Sequence, residues 1–518
     1  MARKRPNILF IMADQMAAPA LAAYGHKVTR TPRLDSLAEH GVVFENAYCN
    51  FPICAPSRFS MLSGQLPSRI GAFDNAAEFP SSVPTLMHYL RGAGYQTCLS
   101  GKMHFVGADQ LHGFEERLTT DIYPADFGWT PDWANQKLKY SWSHHMQSVM
   151  EAGTCQRSLQ IDFDEEVANQ AVQKIFDLAR DPDERPFFFC VSFTHPHDPF
   201  TCLPEHWERY DHEHIDMPTV PAIPLDKLDP HARRLHFMDS VHRYDVNEKV
   251  IRTARHAYYG MISYVDDLVG KLLSALHRAK LADDTIVVFT GDHGEMLGER
   301  GMWYKMTFYE WSARVPLIIH APRLFGPRRV PHNVSLVDLL PTLLDFATDD
   351  HMPELIDPVD GNSLVPLLHG DADGWTDVVM SEYLAEGALD PILMLKHGAK
   401  KFVYSKTDGA MLFDLATDPH ELDDLAKKPE HETEVAALIA EMNRRWDYAD
   451  LTRRVTESQN RRLFVHDVLL KGRYTPWDWQ PRRDAAMMYV RNVGIDEDVA
   501  KGRARLPFVP ERKPDFPA

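Results

Sequence analysis

The sequence has no paired cysteine motif: six cysteines are scattered over 518 residues, and none of them forms a CxxC spacing. This arrangement indicates neither a disulfide framework nor a structural zinc site, and it is typical of a reducing compartment. A secretory leader and a membrane span are also lacking, because the first apolar run covers only residues 8–13 and no uncharged stretch is long enough to cross a bilayer. We therefore expect a cytoplasmic protein without a membrane partner.

Positive charge is scarce as well. Lysine and arginine number 56 against 74 acidic residues, which gives a formal net charge of −18. This balance argues against nucleic acid or an anionic membrane surface as a partner, so an anionic substrate would need a locally basic pocket. The length and the 44% hydrophobic content allow a large core and favour more than one domain.

Three short apolar runs, at residues 7–12, 186–193 and 285–290, predict fully buried strands that are followed directly by polar residues. Helical patterns at 32–40, 84–93, 165–179 and 257–280 separate them. Strands that alternate with helices predict an α/β domain with a largely parallel sheet, in which ligands bind beyond the carboxyl ends of the strands. We expect the functional site at that edge.

The pattern changes near residue 370. Short antiparallel strands are predicted at 378–383, 391–396, 401–405 and 411–415, and an amphipathic helix at 432–446. Beyond about residue 462 the chain is basic and rich in tryptophan and proline. The predicted organisation is a large α/β domain at 1–370, a smaller α+β domain with an antiparallel sheet at 371–460, and a tail at 461–518. We expect the tail to contact a second protomer of a homo-oligomer, either a dimer or a tetramer.

Cys54 opens the run Cys54-Ala55-Pro56-Ser57-Arg58, which predicts a helix that starts at the cysteine and ends near Gly64. A side chain at that end lies beside unpaired backbone N–H groups, which stabilise an anion. Arg58 follows one turn later and can hold an oxyanion. Two interpretations remain at this point: a nucleophile, or the buried structural cysteine that a free thiol usually is.

Asp14, Asp292 and His293 follow two of the buried strands. They offer the oxygen and imidazole ligands that suit a hard divalent cation, and Cys54 would complete the set if it became an oxygen species. Each acid alone is more often a turn or helix-cap residue. Their shared position at strand ends favours a metal site.

Basic residues follow other predicted strands. Lys102 and His104 come after a strand at 96–100, where a lysine can bind a tetrahedral anion and a histidine can move a proton. A solvated loop is the commoner explanation for a Lys-x-His pair. His197 is a candidate general acid, and Lys305 is a further candidate contact for an anion.

These segments together resemble the type I sulfatases of the alkaline phosphatase superfamily. The matching motifs are Asp14 after the first strand, Thr31-Pro32-Arg33-Leu34-Asp35-Ser36-Leu37-Ala38, Cys54-Ala55-Pro56-Ser57-Arg58, Gly101-Lys102-Met103-His104, Thr290-Gly291-Asp292-His293-Gly294 and Leu412-Phe413-Asp414-Leu415. The resemblance extends to about residue 450. It implies an alkaline-phosphatase-like domain with a mostly parallel central sheet flanked by helices, and a smaller C-terminal α+β domain.

The resemblance also implies chemistry for Cys54. In that family a sulfatase-maturing enzyme, such as the formylglycine-generating enzyme, oxidises the matching cysteine to formylglycine. Its hydrate attacks sulfur, and a divalent ion, usually calcium, holds it. Cys54 is then the nucleophile precursor, and Asp14, Asp292 and His293 are metal ligands with it. Arg58 steadies the formylglycine.

The same resemblance implies that Lys102 and Lys305 bind the sulfate oxygens and that His197 serves the leaving group. His104 would take the second proton of the hydrate. Two positions depart from the family pattern, because many sulfatases have a second acid where Gln15 stands and asparagine in place of His293. Gln15 is a neutral ligand or none, and the mixed ligand set admits manganese or magnesium beside calcium.

Residues 113–123, the segment Trp129-Thr130-Pro131-Asp132-Trp133 and the tail resemble the choline sulfatases within this family. Choline-O-sulfate carries a quaternary ammonium group, which binds aromatic faces with ~0.5–2 kcal/mol each. The resemblance implies hydrolysis of this ester to choline and sulfate. Candidates for the ammonium pocket are Asn75, Trp129, His145 and Glu386, although tryptophans of this kind usually pack in the core.

Three alternatives remain open. A phosphonate or phosphate monoester hydrolase of the same superfamily, or an arylsulfatase, would share the nucleophile and the metal. A non-catalytic protein that binds choline or an anion would leave the cysteine unmodified. That last alternative gives no role to Lys102, His104 and His197.

Overall fold

The computed structural model describes residues 5–123, 126–135, 146–348 and 355–471. Its strands are β1 (Asn7–Ala13), β2 (Val42–Tyr48), β3 (Gln96–Gly101), β4 (Glu116–Arg117), β5 (Gly153–Thr154), β6 (Phe187–Phe193), β7 (Thr201–Cys202), β8 (Thr285–Gly291), β9 (Arg314–Val315), β10 (Leu317–His320), β11 (Arg328–Ser335), β12 (Val378–Tyr383), β13 (Ile392–His397), β14 (Lys400–Ser405) and β15 (Gly409–Asp414).

Its helices are α1 (Pro32–His40), α2 (Cys54–Ser63), α3 (Pro67–Ile70), α4 (Leu86–Gly92), α5 (Gln147–Met150), α6 (Leu159–Arg180), α7 (Pro204–Trp207), α8 (Pro230–Met238), α9 (Glu248–Arg278), α10 (Glu310–Ala313), α11 (Leu339–Ala347), α12 (Val365–His369), α13 (Glu432–Arg445) and α14 (Tyr448–Leu469).

A nine-stranded sheet in the order β11-β2-β10-β8-β1-β6-β3-β4, with β9 paired to β2, forms the core. Its strands pair in parallel except at β10, which runs antiparallel to β2 and β8, and at β9, which runs antiparallel to β2. The strands β1, β6 and β8 are buried along their whole length, which explains why their sequences are continuous apolar runs.

The register of the sheet brings the strand ends together. Ala13, the last residue of β1, pairs with Phe193 of β6 and with Gly291 of β8. Asp14 and Asp292 follow two of these residues directly and therefore leave the sheet at the same edge. The predicted location of the site at the carboxyl ends of the strands has this physical basis.

Strands β12 to β15 form a four-stranded antiparallel sheet in sequence order. It is tied to the loop after β2, because the Glu382 N–H donates to the Asn50 carbonyl at 2.9 Å. The Trp446 indole, after α13, donates to the Glu382 carboxylate at 2.6 Å. These bonds fasten the C-terminal segment to the large sheet.

The fold class is confirmed, with a mostly parallel central sheet and a C-terminal antiparallel sheet. Helix α14, which the sequence pattern does not predict, runs through residue 461, where the tail is expected to begin. The boundaries at 370 and 460 stay predictions, and residues 472–518 lie outside the described residues. All six cysteines are free thiols. None of the described helices is long and apolar enough to cross a membrane.

Gly101 at the end of β3 offers a test of this framework. Its φ is 110°, and a Cβ there would lie 2.0 Å from the Ser192 carbonyl oxygen. Gly101→Ala is expected to lower stability by about 3 kcal/mol or more, measured by denaturant unfolding. Gly92→Ala is the control, because no atom lies within 4 Å of a Cβ at that helical position. Equal stabilities of the two variants would contradict the expected strain.

Candidate active site

Cys54 is the first residue of α2, and its side chain is buried. Ile53 before it is extended, so the first N–H groups of the helix have no partner in a preceding turn. The Asn75 side-chain oxygen accepts one of them, from Ala55, at 2.9 Å. The sulfur thus lies at the positive end of a helix, where negative charge is stabilised.

Arg58, one turn along α2, is buried with no exposed surface and reaches both acids of the strand ends. Its Nε donates to Asp292 Oδ2 at 2.8 Å, and its Nη2 donates to Asp14 Oδ2 at 3.2 Å. The Nη1 group donates to the Lys102 carbonyl at 2.7 Å and to the Ser192 hydroxyl at 2.9 Å. The guanidinium therefore orients the carboxylates, and its contact with a formylglycine stays a prediction.

Ligand atoms of Asp14, Cys54, Asp292 and His293 all lie within 4.8 Å of one another. Because Arg58 binds Oδ2 of each acid, Oδ1 of each faces the cluster, 3.7 and 3.8 Å from His293 Nε2. Nε2 is 3.2 Å from the Cys54 sulfur, and Nδ1 donates to the Gly294 carbonyl at 3.0 Å, which leaves the Nε2 lone pair for a ligand. This donor set fits a hard divalent cation, except for the sulfur, where an oxygen would fit better.

The protonation states also suit a metal. The pKa of Asp14 is well below its ordinary value, because Lys102 and further cationic groups outweigh the effect of burial, which would raise it. Burial lowers the pKa of His293 against the opposing charge of Asp292. A carboxylate and a neutral imidazole are the forms that bind cations.

Lys102 lies close to the Cys54 sulfur, and His104 follows it two positions along the chain. The Lys102 ammonium forms an ion pair with Asp14, lies 3.9 Å from the Cys54 sulfur and stands 4.5 Å over the Tyr123 ring. His104 is buried with a φ of 61°, and both of its ring nitrogens lack a hydrogen-bond partner among the described residues. Such an imidazole can accept a proton from a bound group.

Lys305 and His197 contact each other. The Lys305 ammonium donates to Gln15 Oε1 and is 3.0 Å from His197 Nε2. His197 Nδ1 donates to the Asp198 carbonyl at 2.7 Å, so Nε2 is the nitrogen that faces Lys305. Burial and the Lys305 charge hold the pKa of His197 well below its ordinary value, which makes the imidazole neutral before substrate binds.

Gln15 and Glu295 form hydrogen bonds next to Lys305. The sequence left the role of Gln15 open, and Glu295 was not among the predicted residues. The Gln15 N–H donates to Asp292 Oδ1 at 3.0 Å, and its amide nitrogen donates to Glu295 at 2.5 Å while its oxygen accepts from Lys305. Burial raises the pKa of Glu295 to about 7. Gln15 therefore links the candidate metal ligands to Lys305. In the sequence, its position directly after Asp14 indicates this location.

The structure describes three of the four candidates for the ammonium pocket. Asn75 accepts a hydrogen bond from Ala55 at the start of the Cys54 helix through its side-chain oxygen. Trp129 is 42% exposed and approaches the His104 ring edge-on, with 5.8 Å between ring centroids. Glu386 is half-buried in the turn after β12. His145 lies outside the described residues.

Residues 126–135, which we call the Trp loop, are held in place from two sides. The Trp133 indole donates to the Ala385 carbonyl at 3.0 Å, beside Glu386. From the other side, α14 contributes Gln459, whose side-chain oxygen accepts the Trp133 N–H at 3.0 Å. The Trp loop therefore connects α14 to the Glu386 turn.

A buried ion pair reinforces this contact. Arg462 of α14 donates twice to the Asp74 carboxylate, at 2.6 and 2.7 Å, and once to the Thr130 hydroxyl of the Trp loop at 3.2 Å. Asp74 adjoins Asn75, which caps the Cys54 helix. Arg462 was not among the predicted residues, because its partners are separated from it by hundreds of positions in the chain.

A family model described as Sulfatase matches residues 6–349, and the chain therefore belongs to the sulfatase family, whose members hydrolyse sulfuric esters. A model of the C-terminal part of N-sulphoglucosamine sulphohydrolase matches residues 298–447. A third model, of the C-terminal part of choline sulfatase, matches residues 453–505 and thus includes most of α14.

Curated relatives agree with this assignment. The chain is 46% identical over 496 residues to a choline-sulfatase of Rhizobium meliloti (strain 1021), covering 94% of this chain and 96% of that one. It is 30% identical over 459 residues to an arylsulfatase of Clostridium perfringens, covering 84% and 93%. The predicted membership of the sulfatase family is confirmed.

Solved structures show the same fold. A phosphonate monoester hydrolase from Silicibacter pomeroyi matches with a TM-score of 0.67 at 24% identity, covering 85% of this chain and 95% of that one. A putative sulfatase from Bacteroides thetaiotaomicron matches with a TM-score of 0.66 at 24% identity, covering 88% and 94%.

Arg462→Met tests the role of α14 in positioning the Trp loop. The variant leaves a buried carboxylate at Asp74 unpaired, which costs ~3–5 kcal/mol, and it removes the bond to Thr130. We expect KM for choline-O-sulfate to rise at least about tenfold in the folded variant. Arg461→Met, an exposed neighbour, is the control. An unchanged KM in a folded Arg462→Met protein would contradict this role.

Proposed function

We propose that the protein hydrolyses choline-O-sulfate to choline and sulfate with a nucleophile derived from Cys54. The observation that carries the proposal is the position of the Cys54 sulfur, at a helix start, beside Asp14, His293 and the Lys102 ammonium. The relative that is a choline-sulfatase, similar along nearly the whole chain, supports the substrate.

The nucleophile must be an oxygen rather than a thiolate, because the neighbouring donor set suits a hard cation. Conversion of Cys54 to formylglycine supplies an aldehyde hydrate. One of its hydroxyl groups loses its proton to solvent, and that oxygen attacks the sulfur of the ester. A divalent cation held by Asp14, Asp292 and His293 would neutralise charge on the sulfate; calcium is the proposed ion, with manganese or magnesium as alternatives.

Lys102 and Lys305 bind the sulfate oxygens from opposite sides. When an oxygen of the ester takes the Lys305 ammonium, His197 Nε2 loses its neighbour, and the negative charge of the sulfate favours a protonated imidazole. His197 then protonates the choline oxygen as the sulfur–oxygen bond to choline breaks. An alkoxide is a poor leaving group, so this proton transfer matters for an alkyl ester.

His104 completes the cycle. Its ring nitrogens have no partner among the described residues, so the imidazole can take the proton of the second hydrate oxygen. Sulfate then leaves with the carbon–oxygen bond electrons, the aldehyde is regenerated, and water restores the hydrate. The net reaction consumes one water for each ester.

The ammonium group is placed in this proposal between the Trp loop and the Glu386 turn, with Trp129 and Glu386 as contacts and Asn75 and His145 as further candidates. The Trp133 bond to Ala385 supports this arrangement, because it holds the aromatic segment beside the acid. An aromatic face and a carboxylate are the groups that bind a quaternary ammonium.

We further propose that a sulfatase-maturing enzyme modifies Cys54 and that the protein is a cytoplasmic homo-oligomer. The scattered free cysteines support a reducing compartment. The basic, tryptophan-rich sequence beyond residue 462 supports contact between protomers.

The decisive experiment combines the mass of the peptide that contains Cys54 with turnover of choline-O-sulfate, para-nitrophenyl sulfate and a phosphonate ester. We expect a peptide lighter than the cysteine form, because an aldehyde oxygen replaces SH and one hydrogen, and a preference for choline-O-sulfate. Cys54→Ala should abolish turnover and retain choline binding. An unmodified cysteine in active enzyme would contradict the mechanism, and an aryl preference would contradict the substrate.

His197→Ala tests the leaving-group role. We expect kcat/KM to fall by roughly 10²–10⁴-fold for choline-O-sulfate and far less for para-nitrophenyl sulfate, whose phenolate leaves without a proton. His214→Ala, with an exposed ring, is the control. Equal losses for both substrates would show that His197 does not protonate the leaving group.

A further inference from the structure

Asp239 is an acidic residue at a position that disfavours negative charge. It caps the carboxyl end of α8, is 3% exposed, and its Oδ1 has no hydrogen-bond partner among the described residues. The end of a helix carries partial negative charge, which repels a carboxylate. A buried acid without a partner lowers stability, and such residues persist where they serve a function.

Packing places Asp239 beside the Glu386 turn. Gly387 lies against α8 so closely that a Cβ on it would be 2.9 Å from the Leu235 side chain and 3.4 Å from the Met238 sulfur. Arg234, also on α8, donates to the Gly387 carbonyl at 2.6 Å. The turn is therefore fastened to the end of the helix, with Glu386 next to the contact.

The charges that act on Asp239 come from the walls of the active site. Burial raises the pKa of Asp239 well above its ordinary value, and Glu386, Glu295 and Asp198 raise it further, while Lys305 opposes them. Tyr304 and Tyr383 also face it, and its charge contributes to their raised pKa values. Asp239 is thus within electrostatic reach of both Lys305, the proposed sulfate contact, and Glu386.

A quaternary ammonium ion suits this carboxyl better than any hydrogen-bond donor would. The ion has no N–H group, so a carboxylate that faces it needs no directed bond, which agrees with the lack of a partner for Oδ1. Its charge is spread over methyl groups, and the cost of burying that charge is offset only where a countercharge pairs with it, which a carboxylate supplies.

We propose that Asp239 is a second acid of the cation subsite, protonated in the free enzyme, and that its carboxyl releases its proton to solvent when the quaternary ammonium group binds. The O–H bond of the carboxyl breaks, the electron pair stays on the carboxylate, and the cation replaces the proton as the balancing charge. This inference rests on the proposed function, because it deepens the choice of substrate.

The first test measures proton release. Choline is titrated into the full-length enzyme by calorimetry at neutral pH, in two buffers of different ionisation enthalpy. We expect the wild type to release up to about one proton for each choline bound, and Asp239→Asn to release close to none. Glu295 is the rival source, since its pKa is about 7. The same release from both proteins would overturn the proposal.

The second test measures specificity and stability together. Asp239→Asn and Asp239→Ala should lower the ratio of kcat/KM for choline-O-sulfate to that for para-nitrophenyl sulfate by about tenfold. Their melting temperatures should stay equal or rise, because an unpartnered buried acid is removed. The control is Asp245→Asn, an exposed acid that follows the same helix. An unchanged ratio, or a lower melting temperature with equal losses for both esters, would assign Asp239 a structural role.

The outcomes also separate this inference from the proposed function. A wild-type enzyme that turns over aryl sulfates but neither binds choline nor hydrolyses its ester would reject the function, and the inference with it. A wild-type enzyme that prefers choline-O-sulfate, together with an Asp239→Asn variant of equal preference, would reject the inference alone.

Discussion

The rest of the site depends on the ion pairs and hydrogen bonds of Arg58. This side chain is buried without solvent contact, and it holds the outer oxygens of Asp14 and Asp292 while bonding to the Lys102 carbonyl and the Ser192 hydroxyl. A buried guanidinium is stable only if its charge is fully paired, so the strand ends and the nucleophile helix must be in register for it to fit. The arrangement of the candidate metal ligands and the packing of the sheet therefore both depend on Arg58.

Around Arg58 and its partners, the charged side chains of the site fall into a cationic group and an acidic group. The cationic group contains the two proposed sulfate contacts, Lys102, which is paired to Asp14, and Lys305, which donates to Gln15. The acidic group includes Glu386 and Asp239, and the charge of Glu386 acts on Asp239 at the end of α8. A substrate with an anionic and a cationic end matches this division, which explains how a chain of net charge −18 can bind a sulfate ester.

Local patterns predict much of this structure. The buried strands β1, β6 and β8, the helix at Cys54 and the C-terminal antiparallel strands follow from apolar runs and turn residues. Helix α14 could not be predicted in this way, because its buried stripe changes from Leu451 and Val455 to the polar Gln459 and Arg462. Those two residues are buried by partners hundreds of positions away, and a pattern of hydrophobicity carries no signal for that. Glu386 was predicted from the family resemblance, whereas no sequence pattern singled out Asp239, whose Oδ1 lacks a partner among the described residues.

The attachment of the Trp loop to α14 determines what a change in the C-terminal part of the chain would affect. The groups proposed to attack and activate sulfur come from residues within the matched range 6–349. The residues of α14 that hold the Trp loop come from a helix largely covered by a separate C-terminal model, at 453–505. Part of the support for the Trp loop is thus encoded in a different stretch of the gene from the candidate catalytic residues. A change at Arg462 would therefore act at two places, on the Trp loop through Thr130 and, through Asp74 and its neighbour Asn75, on the start of the Cys54 helix.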